Sequence, residues 1–288
     1  MFQKNNRSVF YILLFLCLAN TLAWLAVFDL RGSDFLEITF FDVGQGDATL
    51  IETPRRSQIL IDGGPDSSIL EKLNENLPFW DRTIDLLVLT HPDNDHISGL
   101  LHVLEDYKVE NILWTGVARE AGVFEKWQEL VEREGAKIII AKAGQEITAN
   151  GVRLKVLFPF ESLEGQLVKD ANNTSVVLRL DFGENSFLFT GDIYGSTEKE
   201  LVERGIAINS DVLKVAHHGS KTSTYGEFIA EVLPEVAVIS VGSDNSYGHP
   251  HEQTLDTLQK YDITIFRTDI DGDIKIVSDG KNYGIPTF

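Results

Sequence analysis

The chain has 288 residues, 43% of them hydrophobic and 24% charged, which is the composition of a folded globular protein and not of a disordered one. Its formal net charge of −19 excludes a nucleic-acid clamp held by a broad basic surface, although brief cation-assisted contact with a phosphate stays open. A single cysteine, Cys17, excludes an intrachain disulfide framework and a cysteine-based zinc cage.

The first element along the chain is the apolar run Val9–Phe28, whose length of about 20 residues suits a bilayer-spanning helix. Lys4 and Arg7 precede it. The positive-inside rule then leaves residues 1–8 in the cytoplasm, makes 9–28 a transmembrane signal anchor and puts 33–288 outside the membrane as one domain. A cleaved signal peptide and a secreted domain form the competing expectation. Against it stand the length of the apolar run and the lack of a small-x-small site after Phe28.

Strand patterns follow at Leu36–Val43, Thr49–Glu52 and Gln58–Ile61, and Ile69, Leu70, Leu73 and Leu77 share one face of a helix over Ser68–Asn76. A buried strand is expected over Ile84–Leu89 and helices over Ile97–Tyr107, Val123–Glu134, Ser196–Arg204, Tyr225–Leu233 and Pro250–Tyr261. The remaining strands are expected at Asn111–Trp114, Lys137–Ala141, Arg153–Phe158, Ser175–Phe182, Ser186–Thr190, Val212–Ala216, Val236–Val241, Thr264–Arg267 and Asp273–Val277. Strands mixed with helices imply layered α/β architecture, sheets covered by helices, and no internal repeat or composition break divides it.

The polar chemistry gathers at strand ends. His91, Asp93, Asp95 and His96 place two imidazoles and two carboxylates within six residues, directly after a buried strand. Borderline and hard donors crowded in this way suit a divalent metal, and such crowding costs stability unless something positive lies among the carboxylates. Five further segments end or open strands with unusual polar density: Asp42–Asp47, Asp62-Gly63-Gly64, Asn172–Ser175, Thr190-Gly191-Asp192 and His217-His218-Gly219-Ser220. His249 and His251 flank Pro250, so that six of the seven histidines fall into three clusters and only His102 stands apart. Each segment alone reads equally well as a turn or cap; together they read as one site.

In this order, His91-x-Asp93-x-Asp95-His96, Thr190-Gly191-Asp192 and His217-His218-Gly219-Ser220 resemble the metallo-β-lactamase superfamily. More narrowly, Phe41–Ala48, Ile61–Gly64, Asn172–Ser175 and Tyr247–His251 resemble the hydrolase domain of ComEC-type DNA-uptake proteins, over residues 36–280. The chain is too short for the polytopic channel that accompanies this domain in those proteins. The resemblance implies an αββα sandwich holding two divalent ions, zinc or manganese, at one edge. His91 and Asp93 would serve the first ion and Asp95, His96 and His217 the second, with Asp192 bridging. Asp93 stands where the superfamily usually has histidine, and Asn172–Ser175 where it has another, so the first position is poorer in nitrogen, binds more weakly and accepts manganese or magnesium.

The implied activity is phosphodiester hydrolysis, most simply of DNA, by a water activated between the ions. Asp95 would orient that water and His249, or else His251, would protonate the leaving oxygen. Asn172, Ser175, His218 and Ser220 would bind substrate oxygens, while Asp47 and Asp62 would hold the ligand imidazoles. The alternatives are a two-metal hydrolase of another substrate (a phosphorylcholine ester, a lactam or a thioester) and a non-catalytic binding module. A membrane setting and a DNA-uptake channel partner accompany the first reading.

Overall fold

The computed structural model describes residues 5–30, 33–120 and 122–286. The N-terminal run forms helix α1 (Asn5–Leu30), and the apolar side chains described in it, from Val9 to Leu18, are exposed. Among the described residues no helix is long and apolar enough to cross a membrane, so they do not support the transmembrane anchor expected over residues 9–28.

The rest is built on two sheets. Strands β1 (Leu36–Phe40), β2 (Thr49–Glu52) and β3 (Gln58–Ile61) form an antiparallel meander. Helix α2 (Ser68–Asn76) then crosses to β4 (Thr83–Leu89), α3 (Asn94–Asp106) to β5 (Lys108–Trp114) and α4 (Gly122–Glu134) to β6 (Lys137–Ile140), all parallel. The second sheet begins with the antiparallel strands β7 (Glu146–Ala149), β8 (Val152–Phe158), β9 (Val177–Phe182) and β10 (Asn185–Phe189). Helix α5 (Gly195–Glu203) leads to β11 (Val212–Lys214), α6 (Gly226–Val232) to β12 (Val236–Ile239) and α7 (Glu252–Lys260) to β13 (Thr264–Arg267), again in parallel. After the short helix α8 (Thr268–Asp271), β14 (Ile274–Ser278) returns to pair with β1, and β15 (Tyr283–Gly284) closes that edge. The strand orders are β15-β14-β1-β2-β3-β4-β5-β6 and β13-β12-β11-β10-β9-β8-β7.

Alternation along the strands divides the apolar residues among three cores. Phe40, Ile61, Val88, Leu178, Phe187, Phe189 and Val238 fill the space between the sheets. Leu60, Leu87 and Leu89 turn the other way and meet Leu73, Leu100 and Trp127 of α2, α3 and α4. Leu188, Ala237 and Ile239 likewise meet Leu201, Phe228 and Leu258 of α5, α6 and α7. The result is an αββα sandwich, as expected. Each fully buried large apolar side chain stabilises it by about 1.5–3 kcal/mol, enough in sum to carry a costly polar cluster at one end.

Two boundaries differ from the sequence expectation in ways that matter. Helix α3 begins at Asn94, three residues before the expected Ile97, so Asp95 and His96 ride on its first turn and not on a loop. Strand β9 begins at Val177 because Asn172–Thr174 form a 3-10 turn.

The start of α3 is docked by glycines. Gly63 N–H donates to the His96 carbonyl (2.9 Å) and Gly99 N–H to the Gly64 carbonyl (3.0 Å). A Cβ on Gly99 would lie 1.8 Å from the Gly63 oxygen. Gly99→Ala is therefore expected to cost about 3 kcal/mol through overpacking. Thermal melting would show it, and a melting temperature within about a degree of the parent would contradict it.

Candidate metal centre

The carboxyl ends of the parallel strands converge where the two sheets abut, the usual place for a site on such sheets. Asp62 follows β3, Thr90 and His91 follow β4, Asp192 follows β10, and Lys214 ends β11 with His217 and His218 just beyond. His217, His218 and Gly219 take three consecutive left-handed conformations, with φ of 51°, 52° and 78°. For non-glycine residues this is strained, and the strain serves to carry the His218 ring into the centre.

Three imidazoles are tethered through Nδ1 so that Nε2 faces inward. His96 Nδ1 donates to Asp62 Oδ2 at 2.8 Å, and His218 Nδ1 to the Ser240 carbonyl at 2.9 Å. His91 Nδ1 lies 3.1 Å from Thr90 Oγ1 and 3.2 Å from Ser175 Oγ. Both hydroxyls spend their own protons elsewhere, on Asp62 Oδ2 (2.6 Å) and the Asn172 carbonyl (2.6 Å), so each offers His91 only a lone pair. All three Nε2 atoms are buried without a hydrogen-bond partner among the described residues, as are Asp192 Oδ1 and Asp47 Oδ1. Donor atoms of His91, His96 and Asp192 lie within 4.8 Å of one another, and so do those of Asp95, His96 and His218, and of Asp47, Asp192 and His218. Asp192 Oδ2 stands 3.4 Å from His96 Nε2 and 3.3 Å from His218 Nε2, which is also 3.3 Å from Asp95 Oδ2.

Orphaned buried lone pairs aimed at a common point, each fixed from behind, are what a divalent cation requires. The residues present fit one.

The electrostatics agree. Burial opposes charge on His96 and His218, but Asp192, Asp62 and Asp95 around the first and Asp192 and Asp47 around the second raise both well above the usual imidazole range. Burial would lift Asp192, and His218 and His96 outweigh it and hold the carboxyl well below its ordinary value. His91 is pushed down to about 3 by burial and by the neighbouring His96, and is neutral. In the absence of an ion, protons on His96 and His218 balance the carboxylates, and an arriving cation must displace them.

The two adjacent histidines exchange the places expected for them. His217 uses Nδ1 on Thr222 Oγ1 (3.1 Å) and Nε2 on the Asn172 amide (3.2 Å), so it has no lone pair left for a metal and belongs to no convergent group. His218, expected to bind substrate, is the one of the two whose Nε2 lies among the convergent donors. Asp93 lies at the N-cap of α3 without capping it and is ion-paired with Arg119, while its Oδ2 is 3.9 Å from His91 Nε2. Ser175 is fully buried and accepts the Asp192 N–H (3.0 Å), so it positions ligands and cannot reach substrate. Ser220 is buried too and bonded to Thr222 (2.9 Å). Asp62 performs the expected holding of His96; Asp47 does more, since it joins the convergent carboxylates and pairs with Lys214.

Above the centre a cleft of about 170 Å³ is lined by Gln45, Asp95, Asn172, His217, Tyr247 and His249, among others. His251 is outside that lining, its ring 5.0 Å from that of His249. The sequence reasoning missed Lys214, Arg119, Thr90 and Tyr247. Lys214 carried a signal: a lysine inside the apolar strand Val212-Leu213-Lys214-Val215 must be paired if it is buried.

A model of the metallo-beta-lactamase superfamily matches residues 41–243, and the chain belongs to that superfamily. It is 34% identical over 256 residues to ComE operon protein 3 of Bacillus subtilis (strain 168), covering 83% of this chain and 32% of that protein. It is also 34% identical over 240 residues to Competence protein ComA of Neisseria gonorrhoeae, covering 82% and 31%. The chain thus spans about a third of the length of these curated relatives, which bear out the resemblance to competence proteins. Among solved structures, the metallo-beta-lactamase fold protein YhfI from Bacillus subtilis superposes with a TM-score of 0.58 at 14% identity, over 85% of this chain and 100% of that one, a likeness of fold.

Proposed function

We propose that this domain is a metal-dependent phosphodiesterase acting on DNA and held at the outer side of a membrane. The observation that carries the reading is the cleft itself: a small polar hollow over a mixed set of imidazole and carboxylate donors, with the exposed Tyr247 ring at its rim stacked on His249 (5.6 Å, 21°). A phosphodiester group matches the hollow, and an exposed aromatic face suits a neighbouring base. The donors of His91, Asp95, His96, Asp192 and His218 would hold the ion, which supplies Lewis-acid charge and a water of lowered pKa. The relatives named for competence point the same way.

The chain's own residues have separable tasks. Asp95, at 32% side-chain exposure, is the most exposed of the carboxylates that line the cleft, Asp93, Asp95 and Asp192, and suits orienting the attacking water. The Asn172 amide spends one proton on His217 and keeps the other for a phosphate oxygen. Burial, with His218 and His217 nearby, brings His249 down to about 4, so it is neutral at pH 7; a substrate phosphate beside it favours its protonation and hence transfer to the leaving oxygen. The membrane setting rests on the apolar run Val9–Phe28 and on exposed Phe79 and Trp80 beside the hollow that Ser33 lines.

The full chain with manganese or zinc is expected to cleave single-stranded or duplex DNA and bis-p-nitrophenyl phosphate, and Asp192→Ala to cleave none of them. Turnover of the small diester without either DNA would overturn the DNA assignment and favour a smaller ester, which a net charge of −19 would also suit. No phosphate turnover with metal bound would overturn the phosphodiesterase.

A further inference from the structure

Lys214 is an unusual occupant of a metal centre. It pairs in register with Phe189 of β10 and Val238 of β12, both of which face the space between the sheets. Its side chain leaves the backbone on that same face and is 3% exposed. A lysine so enclosed persists only against fixed negative charge. Nζ is ion-paired with Asp47 and lies 3.9 Å from Asp192 Oδ1. The Asp192 carboxylate is thereby divided: Oδ1 looks toward an ammonium, while Oδ2 looks toward the Nε2 atoms of His96 and His218 at 3.4 and 3.3 Å. Asp93 is ion-paired with Arg119, so the carboxylate gathered with His91 and His96 is Asp192.

We propose that the Lys214 ammonium takes the place of one of the two cations suggested by the sequence motifs, so that the centre holds a single divalent ion, at His91, Asp95, His96 and His218 with Asp192. Nζ already occupies the side of Asp47 and Asp192 that a second cation would need, and Asp93, beside His91, already has its guanidinium. Lys214 is a positioning residue in this scheme: it holds Asp47 and one oxygen of Asp192, and leaves the other oxygen to the ion. The inference rests on the metal reading of the site, and its test separates the two.

The test is metal stoichiometry by native mass spectrometry and elemental analysis of the full chain with excess manganese, for the parent, Lys214→Arg and Lys214→Met. The expected result is one ion per chain in the parent and in Lys214→Arg. Lys214→Met should take up a second ion, and when metal-free it should melt below the parent, with manganese restoring it. Two tightly held ions on the parent would overturn the lysine assignment and leave the metal reading intact, and the parent alone decides this even if a variant fails to fold. One ion on Lys214→Met together with an unchanged metal-free melting temperature would also overturn the assignment. No ion on any form would overturn both.

Discussion

His218→Ala is expected to reduce hydrolysis by about 10³-fold or more, the equivalent of several kcal/mol of charge stabilisation, and to weaken metal binding with it. His217→Ala should leave the metal in place, because His217 has both ring nitrogens engaged, by Thr222 and Asn172, and reaches no convergent donor. Its activity should fall modestly through a loosened Asn172, seen as a raised KM more than a lowered kcat. Metal titration beside steady-state kinetics on the same preparations distinguishes the pair. Equal loss of metal in both variants would mean that the left-handed turn, and not one imidazole, is what the centre needs.

Asp62→Ala should be the most damaging single change to stability. The carboxylate is fully buried and accepts from the Thr90 N–H (2.8 Å), the Thr90 hydroxyl (2.6 Å) and His96 Nδ1 (2.8 Å). Removing it strands three donors at once, at a combined cost of about 3–5 kcal/mol. That corresponds to about 10 °C in melting temperature for a chain of this size. It also frees the His96 ring to turn, so metal affinity should fall by about 10–100-fold. Asp62→Asn keeps the shape but must point its amide N–H₂ at one of these donors, and an intermediate loss is expected. Unchanged melting in Asp62→Ala would remove the claim that this carboxylate organises the strand ends.

The sandwich and the position of its polar end were legible in the chain because both depend on patterns that need no third dimension. The unbroken apolar runs at Leu86–Leu89 and Val236–Ile239 already mark strands buried on both faces, whose alternate residues enter the inter-sheet core and a helix-facing core. Local geometry was less accessible. Strand β7 escaped notice although Asn150-Gly151, with φ of 50° and 87°, is the two-residue turn signal that joins it to β8. The order of roles within His217-His218 was not legible at all, since it depends on a strained turn whose cost is repaid only by contacts across the fold. Asp93 stood out as a ligand candidate, but its ion pair with Arg119 spans 26 positions and no spacing rule reaches it.

The donors are drawn from both halves of the molecule. His91, Asp95 and His96 follow β4 in the first sheet, while Asp192 and His218 follow β10 and β11 in the second. An ion bound by all of them is therefore a fastening between the two sheets, added to the apolar core between them and to polar links such as that of Ser278 Oγ to Asn185 Oδ1 (2.6 Å). Its binding free energy becomes part of the free energy that keeps the sheets together, by about 1.4 kcal/mol for each tenfold rise in free metal above the dissociation constant. Resistance to unfolding and readiness for chemistry then follow the same external variable, so a compartment that starves this protein of its ion loosens the fold as it silences the site.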